Sequence, residues 1–231
     1  MISNIQVFCQ KRQFLIVCAL GIMLTMVLEF IVLRHYEEKL VKDVQGTVTA
    51  ELVAKASALS TAVNRRLTIL QGLLAFTDAV PNDGSIALYF DKFAEGLIKT
   101  TSGIRTLIIA PGGKATYVYP KQGNEKIIGS NIFQTARPEQ VEALQRTLKV
   151  DHMVLNGPYE LLQGGLGLVA RQAIYRDQQF WGLATVVVDM SAVFAGAGLD
   201  QESEYTRFAL RQVGGKVFYG DADLFEDRPV I

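Results

Sequence analysis

The feature that most constrains this chain is an apolar run near its N-terminus, FLIVCALGIMLTMVLEFIVL at residues 14–33. Twenty helical residues rise about 30 Å, which is the thickness of the hydrocarbon core of a bilayer. The single charge in the run, Glu29, lies near its C-terminal end, where it can reach the membrane interface. The run therefore predicts a transmembrane helix.

A cleaved signal peptide is the alternative explanation for this run. Signal peptides have an apolar region of about 7–15 residues followed by a small-residue cleavage site. Here the run is longer and continues into Arg34 and His35 with no A-x-A pattern. Lys11 and Arg12 precede the run, whereas both signs of charge follow it, so the positive-inside rule leaves residues 1–13 in the cytoplasm. We expect a single-pass inner-membrane protein whose bulk is periplasmic.

Charge and cysteine content narrow the class of the exported part. With 23 basic and 23 acidic residues the net charge is zero, which excludes a basic nucleic-acid-binding protein. Both cysteines, Cys9 and Cys18, lie before or within the apolar run. The exported part therefore has no disulfide, no cysteine-based zinc site and no cysteine nucleophile. A large exported domain without cysteine is typical of a bacterial periplasm.

Residues 34–80 predict a helical stalk. They contain no proline, and a helix of this length would rise roughly 65 Å. We expect the second half of its apolar stripe to pack on the chain's own domain, and the first half to meet the same stripe of a second copy in a parallel homodimer. The stalk ends at the turn cluster that starts with Pro81. The stripe repeats every three or four positions, as in one face of a helix, at Leu40, Val44, Val48, Leu52, Ala56, Leu59, Val63, Leu67, Leu70 and Leu74.

The remaining residues, 81–231, predict an α+β domain with an antiparallel sheet. Apolar periodicity and turn signals indicate three helices, beginning at residues 85, 138 and 190. They also indicate strands at 104–110, 115–119, 166–175 and 180–189, and a last hairpin formed by 205–212 and 216–219.

One block within this domain has a recognisable pattern, GPYELLQGGLGLV at residues 157–169, followed by Ala173-Ile174-Tyr175 and Trp181-Gly182. The block resembles the CHASE domain, the extracytoplasmic sensory module of membrane histidine kinases and diguanylate cyclases. Tyr119-Pro120 is similar to a pair that follows the first two strands of that family, and the Arg66–Leu73 run is similar to its stem. The resemblance covers roughly residues 60–225.

The resemblance implies a long stalk helix that carries two PAS-like sheets, with a ligand pocket in the membrane-distal one. Members of the family bind small molecules, which are adenine-type hormones in plants, and relay the signal through the stalk to a cytoplasmic output domain. This sequence has Ala173-Ile174-Tyr175 where the family often has Pro-Val-Tyr, so the resemblance does not define the pocket at that point.

Arg171 is the most informative single residue because it interrupts an otherwise apolar strand. Alternation places it on one face with Val169, Ala173 and Tyr175. On an inward face an arginine needs an anionic partner, since an unpaired buried charge is costly. Two readings stay open, a solvated arginine on the outer face or a carboxylate or phosphate clamp in the sensor pocket.

The other candidate ligand-binding residues are aromatic or polar. Alternation puts Tyr117 and Tyr119 on one strand face, and Trp181 and Thr185 on one face of another strand. Aromatic sets of this kind also occur in cores and interfaces. The full candidate set is Tyr117, Tyr119, Gln163, Arg171, Tyr175, Trp181 and Thr185.

Nothing in the sequence indicates catalysis, a cofactor or a metal site. His35 and His152 lack companions at metal-ligand spacing, and the glycines from Gly165 open a β-rich segment instead of a strand–turn–helix unit. We therefore expect a membrane-anchored ligand-sensing module; an anchored periplasmic enzyme and a coiled-coil assembly factor are the alternatives. Because family members continue into a second membrane helix and an output domain, we expect this chain to be part of a longer receptor or to signal through a partner.

Overall fold

A computed structural model describes residues 2–81, 84–161, 164–201, 206–213 and 215–226, with side chains described from residue 20 onward. The chain divides into two compact units, Met1–Val53 and Ala54–Ile231.

The first helix, α1, spans Ile2–Ala79 and belongs to both units. It ends just before Pro81, since a residue that precedes proline is disfavoured in helical conformation. Among the residues with described side chains, no helix is long and apolar enough to cross a membrane. Residues 14–19 of the predicted span lie outside that described set.

The second unit contains four more α-helices and seven strands within its described residues. The helices are α2 (Ser85–Thr100), α3 (Ile132–Thr135), α4 (Pro138–Thr147) and α5 (Met190–Gly196), and a 3₁₀ turn covers Ala222–Phe225. The strands are β1 (Ile104–Pro111), β2 (Tyr117–Tyr119), β3 (Val154–Glu160), β4 (Leu166–Arg176), β5 (Gln179–Asp189), β6 (Leu210–Arg211) and β7 (Val217–Tyr219). The mixed α+β class predicted from the sequence is confirmed.

Five strands form one antiparallel sheet in the order β2-β1-β5-β4-β3. The resemblance implies two sheets. The five-stranded sheet is one of them, but the described residues after α5 form only the short ribbon β6-β7 where a second sheet was expected. The described part of the chain therefore holds one full sheet and one two-stranded ribbon.

The sheet is apolar on both faces, and each face packs on different helices. On one face Leu107, Ile109 and Val186 join a core with residues of α1, α2 and α5, among them Leu70 and Phe90. We call this the helix face. On the other, Ile108, Ala173 and Leu183 pack with Ile132 of α3 and Leu144 of α4. We call this the cavity face.

Strand β3, like the short helix α3, is an element that the sequence patterns failed to predict. It contains Gly157 and Pro158, and proline in a strand cannot donate a ladder hydrogen bond. The structure accommodates both at the edge of the sheet, where the register with β4 shifts between Asn156 and Tyr159. An edge position and a local irregularity together explain why the alternation is lost here.

Gly182→Ala is expected to cost about 2–3 kcal/mol of unfolding free energy, since overpacked sites force backbone shifts. A Cβ at Gly182 would lie 2.6 Å from the carbonyl oxygen of Ala110 in the paired strand β1. Gly96 in α2 is a matched control, because a Cβ there meets nothing within 4 Å. Gly96→Ala should gain up to about 1 kcal/mol by helix propensity. Urea unfolding measures both, and equal effects at the two sites would contradict this packing.

Candidate functional site

A cavity of about 100 Å³ lies on the cavity face of the sheet. Its floor is made by side chains of the three central strands, Ile108 of β1, Arg171 of β4 and Thr185 of β5. Its opposite wall comes from the segment that runs through α3 into α4, including Arg137 at the start of α4. The cavity thus lies between the sheet and a segment of short helices.

Arg171 is the charged group of the cavity floor. Its Nε is buried and has no hydrogen-bond partner among the described residues. Burial lowers the pKa of the guanidinium to about 10, and nearby Tyr159 opposes that shift only partly. The sequence left two interpretations open, and the interpretation of Arg171 as a solvated arginine on an outer face is wrong. Arg171 faces the cavity with unused hydrogen-bonding capacity.

Thr185 and Tyr159 add two hydroxyl groups beside Arg171. Thr185 is the register partner of Arg171 across β4 and β5, and its buried Oγ1 has no partner among the described residues. The Tyr159 hydroxyl is likewise buried and unpartnered there, and burial raises its pKa to about 12. Buried polar atoms without partners are rare in folded proteins. Two of them, Arg171 Nε and Thr185 Oγ1, belong to residues that line the cavity, which marks it as a site for a polar ligand, whereas Tyr159 is not a lining residue.

Arg137 is a second guanidinium on the cavity wall, and it is already engaged. Its Nε lies 3.1 Å from Oε1 of Glu139, and its Nη2 donates to the carbonyl of Glu160 at 2.6 Å. The guanidinium also lies over the ring of Tyr159, 5.8 Å from the centroid. Arg137 therefore shapes the wall, while Arg171 supplies the uncompensated charge.

The structure brings Arg171 and Thr185 together but places the predicted aromatic residues elsewhere. Tyr117 and Tyr119 do share a face, but it is the helix face, where the ring of Tyr117 packs 5.8 Å from that of Phe90. The expectation that Trp181 and Thr185 share a face is wrong. The register between β4 and β5 shifts next to Trp181, and the resulting bulge turns its side chain to the helix face.

Tyr175 and Gln163 complete the predicted set. Tyr175 is exposed, and its hydroxyl donates to the carbonyl of Leu148 at 3.0 Å, so it does not line the cavity. Gln163 lies outside the described residues. Sequence reasoning missed Tyr159 and Arg137, because both reach the site from segments without strong periodicity. Within the part of the chain that the structure describes, no group of three His, Cys, Asp or Glu residues could hold a metal ion.

Thr185→Val is expected to raise the free energy of unfolding by about 1 kcal/mol, since it replaces an unpaired buried hydroxyl with a methyl group. Thr106→Val is the matched control, because Thr106 is equally buried in β1 but donates to Oδ1 of Asn124 at 2.7 Å. The control should lose about 1–3 kcal/mol. Chemical denaturation distinguishes the two, and a loss of stability in Thr185→Val would show that its hydroxyl is satisfied inside the protein.

Comparison with known families assigns the class of this domain. The CHASE domain family matches residues 89–219, more than half of the sequence, and the chain belongs to that family. The match includes the β1–β5 sheet and the cavity residues, and it confirms the resemblance seen in the sequence. The chain is accordingly a ligand-sensing domain of a signal-transduction receptor. No significant match to a curated protein is found.

Solved structures with a similar fold include bacterial sensory domains. The sensory domain of the Campylobacter jejuni chemoreceptor Tlp3 gives a TM-score of 0.56 at 14% identity, over 76% of this chain and 72% of that one. The ligand-binding domain of the same receptor in complex with 4-methylisoleucine gives a TM-score of 0.54 at 13% identity, over 81% of this chain and 74% of that one. An extracellular ligand binding receptor from Desulfohalobium retbaense DSM5692 gives a TM-score of 0.42 at 16% identity. The aligned part is 61% of this chain and 26% of that one.

Proposed function

We propose that this chain is the extracytoplasmic sensing part of a membrane receptor, and that it binds a small molecule in the cavity above Arg171. The observation that carries the proposal is the buried Nε of Arg171, which lacks a partner among the described residues and belongs to the cavity floor. An uncompensated buried charge is costly and persists where function needs it. The domain acts by binding and conformational relay, not by catalysis.

The Tlp3 complex with 4-methylisoleucine supports a small-molecule ligand by analogy of fold. A thermal-shift screen of the full chain against small metabolites tests the proposal. At least one compound should raise the melting temperature of the wild type, because ligand binding to the folded state stabilises the protein. The same compound should leave the melting temperature of Arg171→Met unchanged. Arg146→Met is the matched control, since Arg146 is exposed on α4 and lies outside the cavity. A screen in which no compound acts through Arg171 would overturn the proposal.

The proposed anchor is the apolar run at residues 14–33, with the N-terminus in the cytoplasm. Support comes from its length, its single charge and the basic residues Lys11 and Arg12 before it. The proposed location is the inner membrane, with the sensing domain in the periplasm. Protease added to spheroplasts should digest the sensing domain, whereas digestion only after lysis would place it in the cytoplasm.

The proposed partner is a second copy of the chain, arranged in parallel along α1. Leu40, Val44, Val48 and Leu52 form the first half of the stalk stripe and are all exposed, although a helix normally buries such a stripe. In the second half of the stripe, Leu67 and Leu70 are buried in the domain core, and Leu59, Val63 and Leu74 are partly buried against it.

Val48→Glu combined with Leu52→Glu is expected to shift the full chain from dimer toward monomer in analytical ultracentrifugation, because charged residues at the core of a helix pair oppose association. Thr49→Glu adds a charge at an exposed neighbouring position and serves as the control. An unchanged sedimentation profile in the double variant would exclude this stripe as the interface.

A further inference from the structure

The charges around the cavity define the kind of ligand it suits. The described lining residues include two arginines, Arg137 and Arg171, and no aspartate or glutamate. The two residues that follow Leu161 of the lining in sequence, Leu162 and Gln163, are uncharged as well. Cationic groups without acidic groups favour an anionic ligand, because opposite charges attract strongly in a partly desolvated site.

The number of free charges indicates a monoanion. Of the two described lining arginines, Arg137 has an acidic partner, Glu139 at 3.1 Å, whereas Arg171 has no ion pair with a described residue. A planar guanidinium matches a carboxylate through two parallel hydrogen bonds. A phosphate dianion carries more negative charge than one free guanidinium can neutralise.

The rest of the lining indicates the body of the ligand. Branched aliphatic side chains surround Arg171, among them Ile108, Ile132, Val169 and Val187. The cavity of about 100 Å³ is smaller than the roughly 300–1,000 Å³ typical of pockets for drug-sized ligands. This space suits a short aliphatic chain and not a nucleotide.

We propose that the cavity binds a small aliphatic monocarboxylate and discriminates against α-amino acids. The carboxylate would pair with Arg171 beside the unpartnered hydroxyl of Thr185, which also lines the cavity. An α-ammonium would be buried without an acidic partner, and leaving a buried charge unpaired is strongly unfavourable. This inference rests on the proposed sensing function of the same cavity and names its ligand class.

Isothermal titration of the full chain with three matched probes, and with inorganic phosphate for comparison, tests the inference. The probes are 3-methylbutanoate, L-valine, which adds an ammonium group to it, and 3-methylbutanamide, which removes its charge. The carboxylate should bind at least about 10-fold more tightly than the other two, which corresponds to one charge-assisted interaction. Arg171→Met should weaken carboxylate binding about 100-fold, and Arg146→Met should leave it unchanged.

Three results would overturn the inference: no binding of 3-methylbutanoate, equal or tighter binding of L-valine or the amide, or comparable binding of inorganic phosphate. If the carboxylate fails while other compounds in the metabolite screen act through Arg171, the ligand class is wrong and the sensing function stands. If no compound acts through Arg171, the proposed function itself fails.

Discussion

Arg171→Met is expected to raise the free energy of unfolding of the unliganded protein by about 1–4 kcal/mol, because replacing an uncompensated buried charge with an apolar side chain is stabilising. The same change should abolish the ligand response. Gain of stability with loss of function is the signature of a residue retained for binding. The cost in the wild type follows from the buried Nε without a described partner and from the pKa lowered to about 10 by burial.

The sign of the pH dependence follows from that pKa. A base whose pKa is lower in the folded state destabilises the fold fully at any pH below the folded value. For Arg171 the penalty is therefore complete at neutral pH and begins to fall only as the pH rises through about 10. Urea unfolding at neutral pH gives the comparison, with Arg146→Met as the control. If Arg171→Met is less stable than the wild type, the Arg171 charge is compensated inside the protein, which contradicts this account.

Arg66→Met is expected to have the opposite effect and to cost about 3–5 kcal/mol, because it leaves several buried backbone carbonyls without a donor. Arg66 of α1 is buried, with 6% of its surface exposed, and burial lowers its pKa. Unlike Arg171, it is satisfied. It donates to the carbonyls of Ala62 at 2.7 Å, Ser102 at 3.0 Å and Ala192 at 2.8 Å.

Two of these bonds leave α1 and join it to Ser102, just before β1, and to Ala192 in α5, whereas the bond to Ala62 stays within α1. Since α5 directly follows β5, which carries Thr185, Arg66 is placed to couple the cavity strands to α1. Besides the loss of stability, hydrogen exchange of α5 amides should accelerate in Arg66→Met. Arg65→Met is the control, because Arg65 is the exposed neighbour on the same helix. Equal stability of the two variants would contradict the role of Arg66.

The sequence predicted those elements whose residues follow one simple period. The second half of the stalk stripe packs on the domain core from Leu59 to Leu74, as its spacing indicates. Strands β1, β4 and β5 lie within a residue of their predicted bounds. Periodicity fails where the backbone departs from regular pairing. The bulge at Trp181 reverses the expected face, and β3 carries a proline that local rules exclude from strands.

The site was predictable only in part, for a related reason. Arg171 is visible in the sequence because a charge interrupts an apolar strand, and Thr185 because it alternates within another. Arg137 and Tyr159 come from other segments and meet Arg171 only in the folded chain. The alternation of Tyr117 and Tyr119 indicates that they share a face but not which face, since both faces of this sheet are covered.

The central claim is that the ligand binds on the cavity face of the sheet, and methyl NMR of isoleucine-labelled full chain tests it most directly. On addition of the compound with the largest thermal shift, the methyl signals of Ile108 and Ile132, which line the cavity, should move. Those of Ile86 and Ile109 in the helix-face core should stay in place. Movement of Ile86 and Ile109 while Ile108 and Ile132 remain unchanged would contradict the account.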